Sequence, residues 1–180
     1  MRKASRFMFA FLTVAVLFGC GRFSGKKAEM EKIVFPTGLE RIDGTGAHPD
    51  LSVPAIRLVV FIDSTECSSC RLNNLYKYSS FSSMSEIYPG FETIVLIQPN
   101  SETAGSIDKD LAHRKLPFDV LIDRDASFLK VNPSVPATGR NQHVFLTGSD
   151  GVPLFVGDPL SSAGRDRQIR NLLYSIYERK

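Results

Sequence analysis

The 180-residue sequence has only three cysteines and three histidines, the residues that zinc sites use most, and no tryptophan. Its three histidines are scattered at His48, His113 and His143. Cys67 and Cys70 could form half of a zinc site, but zinc usually takes four protein ligands and no second cysteine pair is present. Phosphate-cradling glycine motifs and the His-Glu-x-x-His motif are also absent. No metal is therefore expected.

The apolar run at residues 7–18 is shorter than the roughly 20 residues that span a bilayer. A basic stretch at residues 2–6 precedes it, and the sequence Leu-Phe-Gly-Cys20 ends it, so residues 1–19 are predicted to be a signal peptide. The Leu-x-Gly-Cys ending resembles a bacterial lipobox, which implies that Cys20 carries lipid. The alternative is an ordinary signal peptide with a coincidental cysteine.

The chain also has little excess charge. Its formal charge is +3, and the predicted signal peptide holds three basic residues and no acid, so the mature chain is neutral. Nucleic-acid-binding proteins usually show a basic excess, which is missing here. If Cys20 carries lipid, Cys67 and Cys70 are left to pair with each other. An exported protein reaches a compartment where such disulfides persist.

Cys67 and Cys70 stand where a strand is predicted to give way to a helix. Residues 59–62 form a β-branched apolar run typical of a buried strand, and apolar residues recur at three- and four-residue steps over 72–87. The amino-terminal end of a helix favours a thiolate through its free N–H groups and dipole. Cys67 is thus placed to attack a disulfide, and Cys70, one turn on, to resolve the product.

This strand–Cys-x-x-Cys–helix unit resembles the thioredoxin superfamily, and more narrowly its membrane-tethered, TlpA-like thiol-disulfide oxidoreductases. The resemblance covers Arg57 to the C-terminus and implies an α/β thioredoxin-like fold, a three-layer α/β/α sandwich with a central mixed sheet. It also implies exchange with the thiols or disulfides of envelope proteins. The sulfur pair carries both electrons, so no organic cofactor is expected.

Two residues near the cysteines depart from the thioredoxin pattern. The acid that thioredoxins place six residues before the first cysteine is Phe61 here, and the tryptophan directly before that cysteine is Glu66. A carboxylate at position 66 is expected to oppose thiolate formation on Cys67 by like-charge repulsion and to favour a reducing poise.

Thioredoxins also place a substrate-docking cis-proline before the strand that opens the final hairpin. If residues 144–146 match that strand, the proline position is Gln142, with Asn141 and His143 beside it. These three residues are the predicted docking site, although a histidine in a strand is more often merely packed. A trans bond before Gln142 is expected, because the cis form costs about 2.5–4 kcal/mol there. Without the cis-proline the usual substrate-docking geometry is lost, so this protein is expected to react slowly with general substrates such as insulin.

The remaining elements are predicted from periodicity and turn signals. A strand at 91–98 parallel to the first, a helix at 107–115, a strand at 118–123 and a helical turn at 127–131 precede a hairpin of strands 142–147 and 152–156 and a C-terminal helix. Residues 33–35 are predicted to form a strand in an extension that caps the sheet. Asp123 and Asp125, as acids after a strand, are expected to be solvated rather than a metal clamp.

The sequence divides into a signal peptide (1–19), a lipidated tether (20–31), an N-terminal extension (32–56) and a thioredoxin-like domain (57–180). The outer membrane is the expected destination, because Arg22 replaces the aspartate associated with inner-membrane retention. A static disulfide is a weaker interpretation of Cys67 and Cys70, since so small a loop gains little chain entropy. A non-catalytic thioredoxin-like binding module of an envelope complex stays open as the alternative.

Cys20→Ser is predicted to leave unprocessed precursor or to release the protein from the membrane fraction, because the serine hydroxyl cannot replace the acylated sulfur. Metabolic labelling with a fatty acid, followed by fractionation, measures this directly. The control Cys67→Ser should keep full labelling. Equal labelling of Cys20→Ser and the wild type would contradict the lipid assignment.

Overall fold

The computed structural model describes residues 31–46, 48–65, 72–137 and 143–179. The predicted signal peptide and six residues of interest lie outside these ranges: Cys20, Glu66, Cys67, Cys70, Asn141 and Gln142. Within the described ranges, no helix combines the length and the hydropathy that crossing a membrane requires.

Six strands form one mixed sheet. They are β1 (Glu40–Ile42), β2 (Ile56–Ile62), β3 (Phe91–Ile97), β4 (Val120–Ile122), β5 (Val144–Thr147) and β6 (Pro153–Val156). Their order across the sheet is β1-β4-β3-β2-β5-β6, with β2, β3 and β4 mutually parallel and the other pairs antiparallel. The mixed sheet, the parallel β2–β3 pair and the final hairpin confirm the predictions, and Pro153 lies on an edge strand as expected.

The helices pack on both faces of the sheet. They are α1 (Ser79–Ser82), flanked by 3-10 turns at Leu75–Tyr78 and Ser83–Glu86, then α2 (Ile107–Ala112), α3 (Ser127–Val131) and α4 (Ala163–Tyr177). Apolar residues of residues 72–84, α2 and α4 share one cluster with one face of the sheet. Phe128 of α3, Val135 and Ile33 pack on the other face.

Strand β2 lies between β3 and β5, and all seven of its residues are buried. Because side chains alternate along a strand, Leu58, Val60 and Ile62 belong to the first cluster. Val59 and Phe61 belong to the second cluster. The continuous apolar run in the sequence therefore reflects a strand that is covered on both faces.

The predicted strand at residues 33–35 is wrong. Its backbone makes hydrogen bonds to loop residues and not to a neighbouring strand. Ile33 N–H donates to the Gly151 carbonyl at 2.9 Å, and Val34 N–H donates to Asn132 Oδ1 at 2.8 Å. The extension instead contributes β1, which pairs antiparallel with β4 at the sheet edge. Ile33 still packs on the sheet, so this segment covers the second face without joining it.

The continuous helix predicted up to Ile87 is broken into 3-10, α and 3-10 segments. Serines are frequent there, and their hydroxyls donate to carbonyls three residues back, as Ser85 Oγ does to the Ser82 carbonyl at 2.7 Å. Such bonds compete with regular helical hydrogen bonding. The segment ends before Gly90, whose φ of +80° suits the predicted stop.

Asn132→Ala is predicted to lower the free energy of unfolding by about 1–3 kcal/mol, since the buried Asn132 amide bonds both the N–H and the carbonyl of Val34. Urea denaturation measures the change. The exposed Asn73 bonds only the Arg114 side chain in the described structure, so Asn73→Ala should change stability by less than about 0.5 kcal/mol. Equal effects from the two variants would contradict this role for Asn132.

Candidate functional site

The chain leaves β2 through a turn that is closed by the side chain of Asp63. Thr65 N–H donates to Asp63 Oδ1 at 2.6 Å, and the Thr65 hydroxyl donates to the same oxygen. An Asp that accepts from the backbone two residues on is a common way to build such a turn. In sequence Cys67 follows Thr65 by two residues, so this turn leads directly into the Cys-x-x-Cys segment.

His143 packs against this turn from the start of β5. Its Nδ1 lies 3.1 Å from Asp63 Oδ2, with the distance of an ion pair but without the alignment of a hydrogen bond. Its Nε2 lies 2.7 Å from the Pro136 carbonyl, and its own carbonyl accepts from Phe61 N–H at 2.8 Å. The His143 side chain is 0% exposed and that of Asp63 is 3% exposed, so the pair is sealed from solvent.

The pair is set among aromatic rings. The Phe61 ring centroid lies 5.2 Å from that of His143 and 4.7 Å from that of Phe128. An isolated charge is costly in such a place, so the acid and the base compensate each other. Removing one partner of a buried pair typically costs about 3–5 kcal/mol.

The pair joins the two stretches of sequence that were predicted to form the site. His143 follows Gln142 directly, and Asp63 precedes Cys67 by four residues. Their contact brings residues 63 and 143 together at the same end of the sheet. All described peptide bonds are trans, including the one before Pro136, and β5 begins at Val144 as the predicted register requires.

The contacts of His143 bear on its predicted part in substrate docking. The His143 side chain is completely buried, which matches the packed interpretation of this residue, and its backbone carbonyl already accepts from Phe61. The docking role predicted for Asn141, Gln142 and His143 stays a prediction, and Asn141 and Gln142 lie outside the described residues. The roles predicted for Glu66, Cys67 and Cys70, which also lie outside the described residues, stay predictions as well.

The sequence-based reasoning missed Asp63. The thioredoxin pattern places an acid at position 61, where this sequence has Phe61, and Asp63 was not among the predicted site residues. Residues 61 and 63 lie on the same side of an extended chain, because side chains repeat every two residues. An Asp directly after an apolar strand and four residues before a Cys-x-x-Cys pair was the available signal.

Gln98, at the end of β3, is a second residue that was missed. Its Nε2–H donates to Ser64 Oγ at 3.1 Å, within the same turn. Its Oε1 is buried with no hydrogen-bond partner among the described residues. The turn before the cysteines is thus held from β3 as well as from β5.

Asp123 corrects another expectation, because it is buried instead of solvated. Its Oδ1 accepts from Ser127 N–H at 2.9 Å and its Oδ2 from Phe128 N–H at 2.8 Å, so it satisfies free N–H groups at the start of α3. Asp125 makes no pair with it, and the Asp125 carbonyl accepts from Lys130 Nζ. The Asp123 carboxylate therefore organises the start of α3.

One group of three described residues could offer ligand atoms to a metal: Asp43, His48 and Asp119. The buried Asp119 already accepts from Gly44 N–H at 2.8 Å and pairs with Arg41 at 3.2 Å. His48 Nδ1 lies 2.9 Å from the same carboxylate. Because a guanidinium opposes a cation at that oxygen, the group is better explained as an anchor for the loop after β1.

The chain matches no protein-family profile and no curated protein sequence. Among solved structures it is similar to a candidate thiol:disulfide interchange protein DsbE from Chlorobium tepidum, with a TM-score of 0.54 and 18% identity over 81% of this chain and 97% of that one. It is also similar to a thioredoxin-like protein solved in its oxidised form, with a TM-score of 0.53 and 12% identity over 83% and 98% of the two chains. This likeness establishes a thioredoxin-like fold and confirms the predicted α/β class.

Addition of zinc or of a chelator is predicted to change the thermal midpoint by less than about 1 °C, because Arg41 and Gly44 already occupy the Asp119 carboxylate. Thermal unfolding with each additive gives the measurement. A zinc-dependent rise of about 5 °C or more that His48→Ala abolishes would show that the loop after β1 is a metal site.

Proposed function

We propose that this protein is an envelope lipoprotein with thiol-disulfide oxidoreductase activity carried by Cys67 and Cys70. The observation that supports this most is the position of the Cys-x-x-Cys sequence. It begins two residues after the turn that ends the central strand of a thioredoxin-like sheet. That turn is tied to the start of β5 through Asp63 and His143.

The reaction is a two-step exchange with a protein dithiol. A partner thiolate attacks Cys67 of the disulfide, a mixed disulfide forms, and Cys70 leaves as a thiolate that takes up a proton. The second partner thiol, after losing its proton, attacks the partner sulfur and releases Cys67. Two electrons pass from the partner to this protein, and the reverse sequence oxidises Cys67 and Cys70 while reducing a partner disulfide.

The proposed lipid on Cys20 would keep this chemistry beside a membrane. Residues 20–31 would serve as the tether, with the outer membrane as the destination. Envelope proteins that carry thiols or disulfides are then the partners within reach.

The purified protein is predicted to show a reversible two-electron couple when it is equilibrated with glutathione. Glu66 leads us to expect a potential nearer to the value of about −270 mV known for thioredoxin than to the most oxidising members of the fold. Mass spectrometry after thiol alkylation measures the oxidised fraction. An inert sulfur pair would refute the activity and would support the non-catalytic binding module.

Cys70→Ser is predicted to accumulate mixed disulfides through Cys67, because the resolving thiol is gone. Cys67→Ser should abolish those adducts, and in the wild type Cys67 should be alkylated faster than Cys70. Non-reducing electrophoresis and mass spectrometry identify the trapped sulfur. Faster alkylation of Cys70 would reverse the two roles.

A further inference from the structure

The described chain enters the fold at the end of the sheet that lies opposite the Cys-x-x-Cys segment. Ile33 N–H donates to the Gly151 carbonyl in the turn between β5 and β6. Thr147, just before that turn, lies opposite Arg57 near the start of β2, whereas the cysteines follow the other end of β2. We call this end, formed by the starts of β2 and β3 and by the β5–β6 turn, the tether end. The chain that precedes residue 31 therefore joins the domain away from the cysteines.

A patch of tyrosines is exposed at the tether end. α4 ends there, because the Tyr177 hydroxyl donates to the Pro89 carbonyl just before β3. The Tyr177 ring packs against that of Tyr88, with the centroids 4.9 Å apart, and Tyr174 lies close to Tyr88. Ile87 and Tyr174 are 69% and 54% exposed. Three of the five tyrosines of the chain thus meet beside an exposed isoleucine.

A second apolar patch opens at the tether end on the other face of the sheet. Val34 and Val53 are exposed there and line a cleft of about 460 Å³ beside the β5–β6 turn. Phe35 and Leu51, which also line that cleft, pack on the apolar cluster of this face. Because the two patches lie on opposite faces of one sheet, a flat surface laid across its end covers both, while a partner docked on one face covers only one.

The tether limits what lies against this end. In the proposed function Cys20 carries lipid, and residues 21–31 join it to the domain. As a flexible coil, these eleven residues extend about 18 Å on average, close to the radius of gyration of about 15 Å expected for a domain of this size. The tether end is therefore the part of the domain nearest the bilayer. Tyrosine is also a residue that favours the interface between lipid and water.

Charge does not draw this end towards anionic lipid. Its exposed ionisable side chains are mainly acidic, with Lys32 and Arg179 as bases and five acids: Glu31, Asp50, Glu86, Asp150 and Glu178. The three bases and one acid of residues 21–30 offset most of that excess. Anionic headgroups attract basic segments, and a surface that is close to neutral gains little from them. Apolar contact with a zwitterionic leaflet is the attraction that remains.

Resting on the proposed lipid anchor, we propose that the tether end is a membrane-contact surface. It lies against the headgroup region of a zwitterionic leaflet through two groups of side chains: Ile87, Tyr88 and Tyr174 on one face of the sheet, and Val34 and Val53 on the other. The seven residues of β2 then hold the cysteine segment about 20 Å further from the lipid, at about 3.3 Å per residue. Its partners are thus thiols or disulfides in the aqueous phase, and those buried at the membrane surface are out of reach.

Because the chain has no tryptophan, a single introduced fluorophore can report on each region of the surface. Tyr174→Trp places it in the tyrosine patch. Tyr76→Trp is the matched control, because Tyr76 is 62% exposed and follows Cys70 by six residues. Both lipidated proteins are reconstituted into phosphatidylcholine vesicles whose acyl chains carry bromine, a short-range quencher. We expect Tyr174→Trp to lose intensity and to emit at shorter wavelength, and Tyr76→Trp to do neither.

A charge placed in the patch tests the contact itself. Ile87→Asp, made in the Tyr174→Trp protein, is expected to relieve the quenching, since a carboxylate is costly to desolvate at a lipid surface. Leu160→Asp is the control, because Leu160 is also exposed but follows β6 at the cysteine end of the sheet. It should leave the quenching unchanged. Equal effects of the two substitutions would contradict a contact made through Ile87.

Equal quenching of Tyr174→Trp and Tyr76→Trp, or quenching of neither, would overturn the membrane-contact surface while the lipid anchor and the redox activity stand. A shift of the Tyr174→Trp emission without bromine quenching would overturn it as well, because a protein then covers the patch. Loss of fatty-acid labelling would refute the proposed anchor and this inference with it. An inert sulfur pair would refute only the proposed activity.

Discussion

The fold depends on one strand that has no free surface. β2 is paired on both sides, and its side chains enter apolar clusters on both faces of the sheet. Even its one charged residue, Arg57, is buried and pairs with Glu92 at 2.7 Å. Two carbonyls, those of Asp50 and Val53, also accept from the Arg57 guanidinium. Such a strand offers nothing to a partner along its length. Reactive groups can be reached only where it ends, and the Cys-x-x-Cys sequence follows that end.

The same constraint explains the buried pair. Beyond Phe61, the alternation of the strand directs the side chain of residue 63 to the face that holds Phe61 and Phe128. A carboxylate in that setting needs a compensating group, since desolvating an unpaired charge costs several kcal/mol. His143 supplies it from β5, and the Pro136 carbonyl orients the ring. The polar contacts before the cysteines thus follow from the alternation of β2 and from its neighbour in the sheet.

Features with a strong local period were predictable from the sequence, and those that depend on distant partners were not. The apolar run of β2, the Asp150-Gly151 turn between strands β5 and β6 and the amphipathic face of α4 each carry their signal within a short window. β1 has only three residues, mostly exposed, and forms because β4, about 80 residues away, offers an edge. Residues 33–35 look like a strand, yet the amide of Asn132 binds their backbone instead. Asp63 and His143 were visible as residues, but nothing local in the sequence indicated that they meet.

Similarity of fold at 12–18% identity fixes the path of the chain and leaves its chemistry open. Phe61 stands where the thioredoxin pattern places an acid. The structure has a buried acid two residues later, on the same side of the chain and closer to Cys67. Because a shift of two residues preserves the direction of a side chain, a polar group can move along a strand without leaving its layer of the fold. What matters for function is therefore where an ionisable side chain lies at the end of β2, and in this chain it is Asp63, directly after the strand and opposite His143.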